Sequence, residues 1–391
     1  MKLKEFLQDN NFICPDYNNL NIVDLVKVLY GRFGIDYENN KNTDYLEKLI
    51  PDNKHILLVI SDGTGVNLLD KLPNESILKQ NKKEDLITVF PSTTGCVLTS
   101  VVTATFPEEH GIWGWFNYNR QLNLEYYPLL FKDRESLDSL EKCKVLPEDI
   151  YKAPSFLNSL KGKVSVIFPA SINDSVYSRF VASDNIRYSY NNFSDIKGYI
   201  DKIVSENNKS YTYLYIPDVD TLEHKYGVDS KMVLDKLLEI DKLITDLAKY
   251  QDLTILFTAD HGQVNLKKRL ILDLDKYNKY FYALPTIDFS TASYYVKKEY
   301  GEEFIKEFEI DFKDEMFLFK TDEFIKNKMF GLGNFSDYSR DNLGDFISIC
   351  KAGNYFLLSD DLEEFKGGHS GLTKDEMIIP LVVINTNNKN I

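Results

Sequence analysis

Short runs of nearly continuous apolar residues recur along the chain, and segments of helical character separate them. The runs are HILLVIS (55–61), ITVF (87–90), VSVIFPA (164–170), YTYLYIP (211–217), LTILFTA (253–259) and IIPLVVI (378–384). Each run fits a strand that is buried on both faces. Between the fourth and fifth runs, the apolar residues of 230–250 fall on one helical face. This alternation predicts an α/β protein with crossover connections and a mainly parallel central sheet.

Polar residues follow four of these runs at the point where each predicted strand ends. They are, in chain order, Asp62, then Ser92, Thr93 and Thr94, then Asp218, Asp220 and His224, and finally Asp260 with His261. The carboxyl ends of parallel strands open into one crevice, so these side chains are expected to share a site. An Asp-Gly turn or a single histidine is weak evidence alone, because turns and helix caps use the same residues.

The small number of histidines strengthens the case for a metal site. The chain has five histidines, and His224, His261 and His369 all lie beside acidic or glycine-rich turns. Carboxylate oxygen together with imidazole nitrogen suits zinc or a similar divalent transition metal. Three aspartates and three histidines are enough ligands for two ions.

The adjacent residues Thr93 and Thr94 raise the possibility of a nucleophile. A threonine hydroxyl attacks poorly until a base or metal lowers its pKa. Thr94 has the better position, since Gly95 permits a sharp turn and residues 96–105 are predicted to form a helix whose first amides would face a phosphoryl oxygen. Thr93 is expected to point elsewhere and bond to the backbone, which is the ordinary role of a turn hydroxyl.

Charge and cysteine content exclude several classes of protein. The formal net charge of −14 provides no basic surplus for binding duplex nucleic acid through its phosphates. No apolar stretch is long enough to span a bilayer, and the first residues lack the pattern of a secretory signal. The four cysteines are widely separated, which is typical of reduced thiols and predicts a cytoplasmic protein. No pattern in the sequence indicates an oligomeric state.

Five motifs occur in an order that resembles the alkaline phosphatase superfamily. They are DG (62–63), PSTTGCVLTSVVTATFPEEHG (91–111), PDVDTLEHKYG (217–227), ADHG (259–262) and GGHSG (367–371). The branch that the chain resembles most is the type I phosphodiesterase and nucleotide pyrophosphatase family, over residues 55–385. The resemblance implies a three-layer α/β/α fold, with residues 1–262 and 367–391 as the catalytic core.

The resemblance also implies a site and a reaction. The residues that would hold one zinc ion are Asp62, Thr94, Asp260 and His261, and those that would hold the other are Asp220, His224 and His369. The implied activity is hydrolysis of small phosphodiesters or nucleotide pyrophosphates through a covalent phosphothreonine at Thr94. Asp220 is chosen over Asp218 because of the D-x-x-x-H spacing to His224.

The chain departs from the family pattern near the expected phosphate pocket. Members often carry an asparagine five residues after the histidine of the HG motif, whereas His110 is followed at that distance by Trp115. In the family, the side chain of that asparagine helps to hold a phosphoryl oxygen. In this chain the same role would pass to the Gly95 N–H or to a neighbour such as Asn117. Trp113 and Trp115 are also candidates for stacking on a base or aromatic leaving group, with core packing expected of at least one of them. His110 itself is interpreted as structural.

Residues 263–366 interrupt the motif order and are predicted to form an inserted, smaller α+β cap. The alternative is that they extend the main sheet with edge elements. Alternative functions are a phosphomonoesterase or phosphonate hydrolase of the same superfamily, or a metal-free, non-catalytic binding module.

Overall fold

A computed structural model describes residues 3–358 and 364–387. Parts of the predicted core and insertion, residues 1–2, 359–363 and 388–391, lie outside the described residues. The strands are β1 (His55–Ser61), β2 (Lys82–Ile87), β3 (Asn117–Asn119), β4 (Leu124–Tyr127), β5 (Lys132–Asp133), β6 (Lys163–Pro169), β7 (Ile186–Tyr190), β8 (Ser210–Ile216), β9 (Leu253–Thr258), β10 (Val264–Asn265), β11 (Lys268–Ile271), β12 (Phe281–Asp288), β13 (Thr291–Val296), β14 (Met316–Lys320), β15 (Phe346–Cys350), β16 (Asn354–Leu357), β17 (Gly367–Gly368) and β18 (Ile378–Asn385).

Helices connect most of these strands. They are α1 (Leu3–Asp9), α2 (Ile22–Gly31), α3 (Lys41–Leu49), α4 (Val66–Leu69), α5 (Ile77–Gln80), α6 (Thr94–Thr103), α7 (Pro107–His110), α8 (Pro147–Ile150), α9 (Val176–Ala182), α10 (Phe193–Ser205), α11 (Asp218–Tyr226), α12 (Lys231–Leu247), α13 (Leu274–Tyr277), α14 (Gly301–Phe312), α15 (Thr321–Lys326), α16 (Asp337–Asp341) and α17 (Lys374–Met377). Within the described ranges, none of them is long and apolar enough to cross a bilayer.

The central sheet has seven strands in the order β2-β18-β9-β1-β8-β6-β7. The pairs from β9 to β7 are all parallel, and β18 runs antiparallel to both β9 and β2. Strand β1 lies at the centre, where Val59 pairs with Leu214 on one side and with Phe257 on the other. The predicted α/β fold with a mainly parallel sheet is therefore confirmed.

Two apolar cores, one on each face of the sheet, produce the three layers. Leu58 and Ile60 of β1 pack with helices α2 and α6, whereas Leu57 and Val59 pack with α10 and α12. Successive residues of a strand point to opposite faces, so a strand covered on both sides must be apolar throughout. Helix α12 presents the predicted apolar face, and the residues of that face are all buried: Val233, Leu237, Ile240, Ile244 and Leu247.

Both edge strands of the sheet differ from the sequence prediction. The ITVF run at 87–90 is not a strand; the strand is Lys82–Ile87, and only Ile87 belongs to both. Strand β7, Ile186–Tyr190, was not predicted. An edge strand has one free side and carries exposed polar residues, as KKEDLI and IRYSY do. A search for continuous apolar runs therefore finds the buried strands and misses the edges.

The inserted region 263–366 contains a four-stranded antiparallel sheet, in the order β12-β13-β15-β14, that is separate from the central sheet. Its aromatic residues Phe324 and Phe330 pack against Phe90 and Trp113 of the core. The turn between β12 and β13 is directed at the strand ends of the central sheet, because Ser290 N–H donates to the His369 carbonyl at 3.3 Å. The domain boundaries at 263 and 366 stay predictions.

Candidate active site

The predicted site residues occupy turns and helix starts at one edge of the central sheet. Asp62 directly follows β1, and Asp260 and His261 follow β9. Asp220 and His224 lie on α11, the helix that begins after β8. His369 follows the short strand β17, and Thr94 is the first residue of α6. The structure thus brings together all seven residues proposed as ligands, through contacts given below.

The first cluster consists of Asp62, Asp260 and His261, which are all buried. The Nε2 atom of His261 lies 3.5 Å from Asp62 Oδ1 and 3.5 Å from Asp260 Oδ2. Within the described residues, neither of these two carboxylate oxygens has a hydrogen-bond partner. Buried acceptors without donors are costly, so this cluster favours a bound cation.

The second cluster consists of Asp220, His224 and His369. Asp220 Oδ1 lies 3.3 Å from the Nε2 atom of His224 and 3.8 Å from that of His369. The rings of His261 and His369 are stacked with their centroids 3.8 Å apart, so the two clusters adjoin. The sequence prediction of two neighbouring ligand groups agrees with this arrangement.

All three imidazoles are held in the orientation that a metal ligand requires. The Nδ1 atoms of His224, His261 and His369 lie 2.9, 3.2 and 3.2 Å from backbone carbonyl oxygens. Those carbonyls belong to Gly367, Gly262 and Ser92. A carbonyl can only accept, so Nδ1 of each ring carries a proton, and Nε2 is the atom directed at the carboxylates, where it can bind a metal when it carries no proton.

Burial and like charge perturb the carboxylates of the first cluster. Burial raises the pKa of Asp62 well above its usual value, and the charges of Asp220 and Asp260 add to this effect. Burial, helped by the charge of Asp220, likewise raises the pKa of Asp260 to about 6. Burial lowers the pKa of His261 to about 4. A divalent cation would relieve the repulsion by neutralising the carboxylates.

In the second cluster, the pKa values of Asp220 and His224 shift in the opposite sense to those of Asp260 and His261. Burial alone would raise the pKa of Asp220, but contact with His224 and the nearby rings of His369 and His261 lower it. Burial opposes the charging of His224, yet the Asp220 carboxylate raises its pKa to about 9. For His369, burial and the neighbouring His261 lower the pKa to about 4.

Hydrogen bonds from neighbouring groups hold one carboxylate oxygen of each of the three aspartates. Asp260 Oδ1 accepts from the backbone N–H of Gly63 at 3.2 Å and from that of His261 at 2.9 Å. The Tyr215 hydroxyl donates to Asp62 Oδ2, and the Gln263 amide donates to Asp220 Oδ1. Each carboxylate is therefore oriented before any ligand binds.

Thr94 lies against the first cluster, as predicted for a nucleophile. Its hydroxyl oxygen is 3.2 Å from His261 Nε2. Gly95 follows, and a Cβ atom added there would lie 3.2 Å from the Gly114 carbonyl oxygen, so a larger residue would crowd this turn. The expectation for Thr93 was wrong in detail, since its hydroxyl donates to the Asp288 carboxylate at 2.7 Å and not to the backbone.

The loop after α7 uses its polar groups for its own structure. The Asn117 side chain accepts from Trp113 N–H at 2.7 Å and donates to the Gly114 carbonyl at 2.8 Å, so a contact to substrate would require this loop to reopen. His110 accepts from Ile112 N–H through Nδ1, which leaves Nε2 to donate to Ser100. His110 is thus structural, as interpreted, and Trp113 is buried in the core.

An aromatic cavity of about 330 Å³ adjoins the second cluster. Trp115 lines it and is 37% exposed. The cavity also contains Phe289 and Phe365, whose ring centroids lie 5.5 and 5.7 Å from that of His224. Trp115 therefore has the setting expected of a stacking residue, and its part in substrate binding stays a prediction.

Several residues of the site were not predicted from the sequence. Phe289, Phe365 and Asp288 come from the inserted region, where no motif marks them. Tyr215 was read only as part of an apolar strand. Gln263 could have been found, because it directly follows the ADHG motif.

Glu223 lies on α11 beside Asp220, and its side chain approaches Gly63. Its side chain is fully buried, and neither carboxylate oxygen has a partner among the described residues. Burial, helped by Asp220, raises its pKa well above the usual value. Gly63, at φ +76°, passes so close that an added Cβ would lie 2.6 Å from Glu223 Oε2. The wall beside Asp220 is therefore crowded.

Comparison with known proteins was made on sequence and on structure. The family model described as type I phosphodiesterase / nucleotide pyrophosphatase matches residues 56–371. The bis(5'-adenosyl)-triphosphatase enpp4 of Mus musculus is 26% identical over 240 residues, which is 56% of this chain and 49% of the mouse protein. Ectonucleotide pyrophosphatase/phosphodiesterase family member 5 of Homo sapiens is 26% identical over 272 residues, or 64% and 53% of the two chains. The chain spans about half the length of the curated relatives it matches.

Solved structures share the fold. Murine ectonucleotide pyrophosphatase/phosphodiesterase 5 superposes with a TM-score of 0.65 at 16% identity, covering 85% of this chain and 89% of the murine one. An inactive variant of the murine protein in complex with AMP superposes with a TM-score of 0.63. Phosphonoacetate hydrolase from Sinorhizobium meliloti 1021 superposes with a TM-score of 0.61 at 16% identity, covering 86% of this chain and 91% of the hydrolase. The predicted alkaline phosphatase-like fold is confirmed.

We predict that replacing Tyr215 by Phe lowers the free energy of unfolding by about 1–3 kcal/mol, because a buried carboxylate oxygen of Asp62 loses its donor. Denaturant titration measures the change. Tyr45→Phe is the matched control, since Tyr45 makes the same phenol-to-carboxylate bond to Glu84 but is 42% exposed. The control is expected to change stability little. Equal losses in the two variants would contradict the argument.

Proposed function

Since the chain belongs to the type I phosphodiesterase / nucleotide pyrophosphatase family, we propose that it hydrolyses phosphodiester or nucleotide pyrophosphate bonds with two divalent ions, most favourably zinc. The observation that carries this proposal is the position of Thr94. Its hydroxyl lies 3.2 Å from His261 in a site with two adjoining groups of carboxylates and imidazoles. The named activity of enpp4 and the AMP complex of the murine relative support a nucleotide substrate.

The residues present fit two cations. The unpaired oxygens of Asp62 and Asp260, with the Nε2 atom of His261, would hold one ion, to which Thr94 is proposed as a further ligand. The residues that would hold the other are Asp220, His224 and His369. Mixed oxygen and nitrogen donors favour zinc over magnesium or calcium. When bound, such ions would stabilise negative charge on the phosphoryl oxygens and promote ionisation of an attacking hydroxyl.

Thr94 is proposed to act as the nucleophile. Its hydroxyl would lose its proton and bond through oxygen to phosphorus, while the ester or anhydride oxygen opposite departs with its electron pair and takes up a proton from solvent where it needs one, which leaves a phosphothreonine. Water would then attack the phosphorus, and a proton from that water would restore the departing Thr94 hydroxyl. Because Thr94 begins α6, the first amide groups of this helix, including the Gly95 N–H, are expected to contact the phosphoryl oxygens.

The aromatic cavity is proposed to receive the organic group of the substrate. Trp115 and Phe289 offer flat apolar surfaces next to the clusters, which suit a base or an aromatic leaving group. The formal net charge of −14 supports a small substrate and not duplex nucleic acid. A cytoplasmic location is also proposed, with the four free cysteines of the chain as support.

The direct test compares hydrolysis of a bis-aryl phosphodiester, an aryl phosphomonoester and a dinucleoside polyphosphate, with and without a chelator. We expect the diester and the polyphosphate to be preferred, because the cavity offers space for an organic group that stays on the phosphoryl side after cleavage, and the monoester has no such group. The chelator is expected to abolish all turnover. A dominant monoester rate would favour the phosphomonoesterase alternative, and chelator-resistant turnover would refute the metal assignment.

Replacing Thr94 by Ala is expected to lower kcat by about 10³-fold or more, because no other group in this position can form the covalent intermediate. Zinc content is expected to persist, since the aspartates and histidines are unchanged. Stopped assays with the bis-aryl diester, together with elemental analysis, measure both. Thr245→Ala, on the exposed face of α12, is the control. Full activity of Thr94→Ala would remove Thr94 from the nucleophile role.

Replacing Asp220 by Asn is expected to reduce bound zinc from two ions to one, because the second cluster would lose its only carboxylate. Equilibrium dialysis with zinc measures the stoichiometry. Asp218→Asn is the matched control on the same helix, since the Asp218 carboxylate lies 3.7 Å from the Lys236 ammonium group. Loss of zinc in the Asp218 variant, or two ions in the Asp220 variant, would contradict the ligand assignment.

A further inference from the structure

Thr93 occupies the N-cap position of the helix that starts with the proposed nucleophile. Its backbone is extended, with φ −139° and ψ 145°, as N-cap residues usually are. Its side chain nevertheless makes no capping hydrogen bond to the helix. Instead, the hydroxyl donates to Asp288 Oδ2 at 2.7 Å. The N-cap side chain is thus turned away from the helix end.

Asp288 is held firmly in place by the turn that carries it. It is the last residue of β12, and its Oδ1 atom accepts from Phe289 N–H at 2.8 Å. Two residues further along, Ser290 N–H donates to Ser370 Oγ at 2.9 Å. Thr291 then donates its hydroxyl to the Ser370 carbonyl at 2.7 Å. The turn of the inserted sheet is therefore fixed to the loop of His369 and reaches Thr93 from there.

The direction of the Thr93 hydroxyl matters for the start of α6. The first N–H groups of a helix have no partner within it, and an N-cap threonine ordinarily accepts from the second or third of them. In α6 those groups belong to Gly95 and Cys96. The Thr93 hydroxyl lies within bonding distance of Asp288 and accepts from neither N–H, so both N–H groups are free of the N-cap side chain.

A second observation marks the same place as a ligand position. His261 Nε2 lies 3.2 Å from the Thr94 hydroxyl and 3.5 Å from the buried oxygens of Asp62 and Asp260. These two oxygens have no partner among the described residues. A phosphoryl group on Thr94 would lie between this cluster and the open helix end.

We propose that Asp288 is a positioning residue that holds the Thr93 hydroxyl away from α6 and so keeps the Gly95 and Cys96 N–H groups available to a phosphoryl oxygen. The inference rests on the proposed function of Thr94. It gives the inserted sheet a direct part in the reaction, although Asp288 itself touches no reacting atom. Without Asp288, the Thr93 hydroxyl would cap the helix and compete with the substrate for the same donors.

The test uses four variants of the full chain in the bis-aryl diester assay. Asp288→Ala is expected to lower kcat/KM by about tenfold, because a capping bond of ordinary strength then competes with the substrate. Asp288→Asn keeps an oxygen acceptor for Thr93 and is expected to stay within about threefold of the unaltered protein. The double variant Thr93→Val, Asp288→Ala has no hydroxyl to cap the helix, so we expect it to recover most of the loss, with Thr93→Val alone as its reference.

The relative activities of these variants distinguish a positioning role of Asp288 from a purely structural role and from a role of its negative charge. A structural role of the contact predicts that the double variant is no better than Asp288→Ala, and a role of the negative charge predicts that Asp288→Asn falls with Asp288→Ala. Either result would overturn the proposal. Ser336→Ala is the control for a loosened insertion, since it removes a hydrogen bond from the inserted region to the Glu109 carbonyl, away from Thr93.

Two readouts do not depend on turnover of the substrate. Inhibition or binding by orthovanadate, an oxyanion probe, is expected to weaken by about tenfold in Asp288→Ala and to recover in the double variant. A crystal structure of Asp288→Ala is expected to show the Thr93 hydroxyl bonded to the Gly95 or Cys96 N–H. A hydroxyl that points elsewhere overturns the inference. Lack of diester hydrolysis by the unaltered protein refutes the proposed function, while this crystal structure still decides the inference.

Discussion

The arrangement of the site depends on the repulsion among carboxylates gathered at the end of a buried parallel sheet. Asp62 and Asp260 are almost completely buried, and each keeps one oxygen without a partner in the described chain. Their pKa values are raised because burial and shared negative charge disfavour ionisation. Such a group is stable only if the surrounding structure fixes it and a cation balances its charge. This requirement accounts for the donors that hold the other oxygen of Asp62 and of Asp260.

The central sheet supplies that rigidity. Asp62 and Asp260 follow neighbouring strands β1 and β9, whose pairing fixes the distance between their backbones. On the other side of β1, strand β8 leads into α11 with Asp220. The apolar layers on both faces hold these strands in register, so the polar ends cannot separate to relieve their repulsion. The packing of the apolar core therefore fixes the distances between the carboxylates of the site.

The inserted region contributes further residues to the site, in addition to those at the ends of the central strands. It contributes aromatic walls through Phe289 and Phe365, and the turn at Asp288 contacts both Thr93 and the loop of His369. These residues come from a sheet of their own, and the apolar contacts around Trp113 and Phe330 fix that sheet on the core. The walls of the aromatic cavity and the hydrogen bond of the Thr93 side chain therefore depend on how the insertion packs.

The sequence by itself determined the buried part of the fold and the chemistry of the ligands. Continuous apolar runs identify strands covered on both faces. Asp62, Asp220 and Asp260 follow such strands, and the carboxyl ends of parallel strands meet at one edge of the sheet, so their proximity could be predicted from the sequence. Edge strands β2 and β7 were not predicted from the sequence, because a half-exposed strand has no continuous apolar run. Only the tertiary structure decided the hydrogen bonds of Thr93, Asn117 and Tyr215. Their partners lie close in the fold or depend on a side-chain direction, and neither the spacing of residues nor their type specifies such contacts.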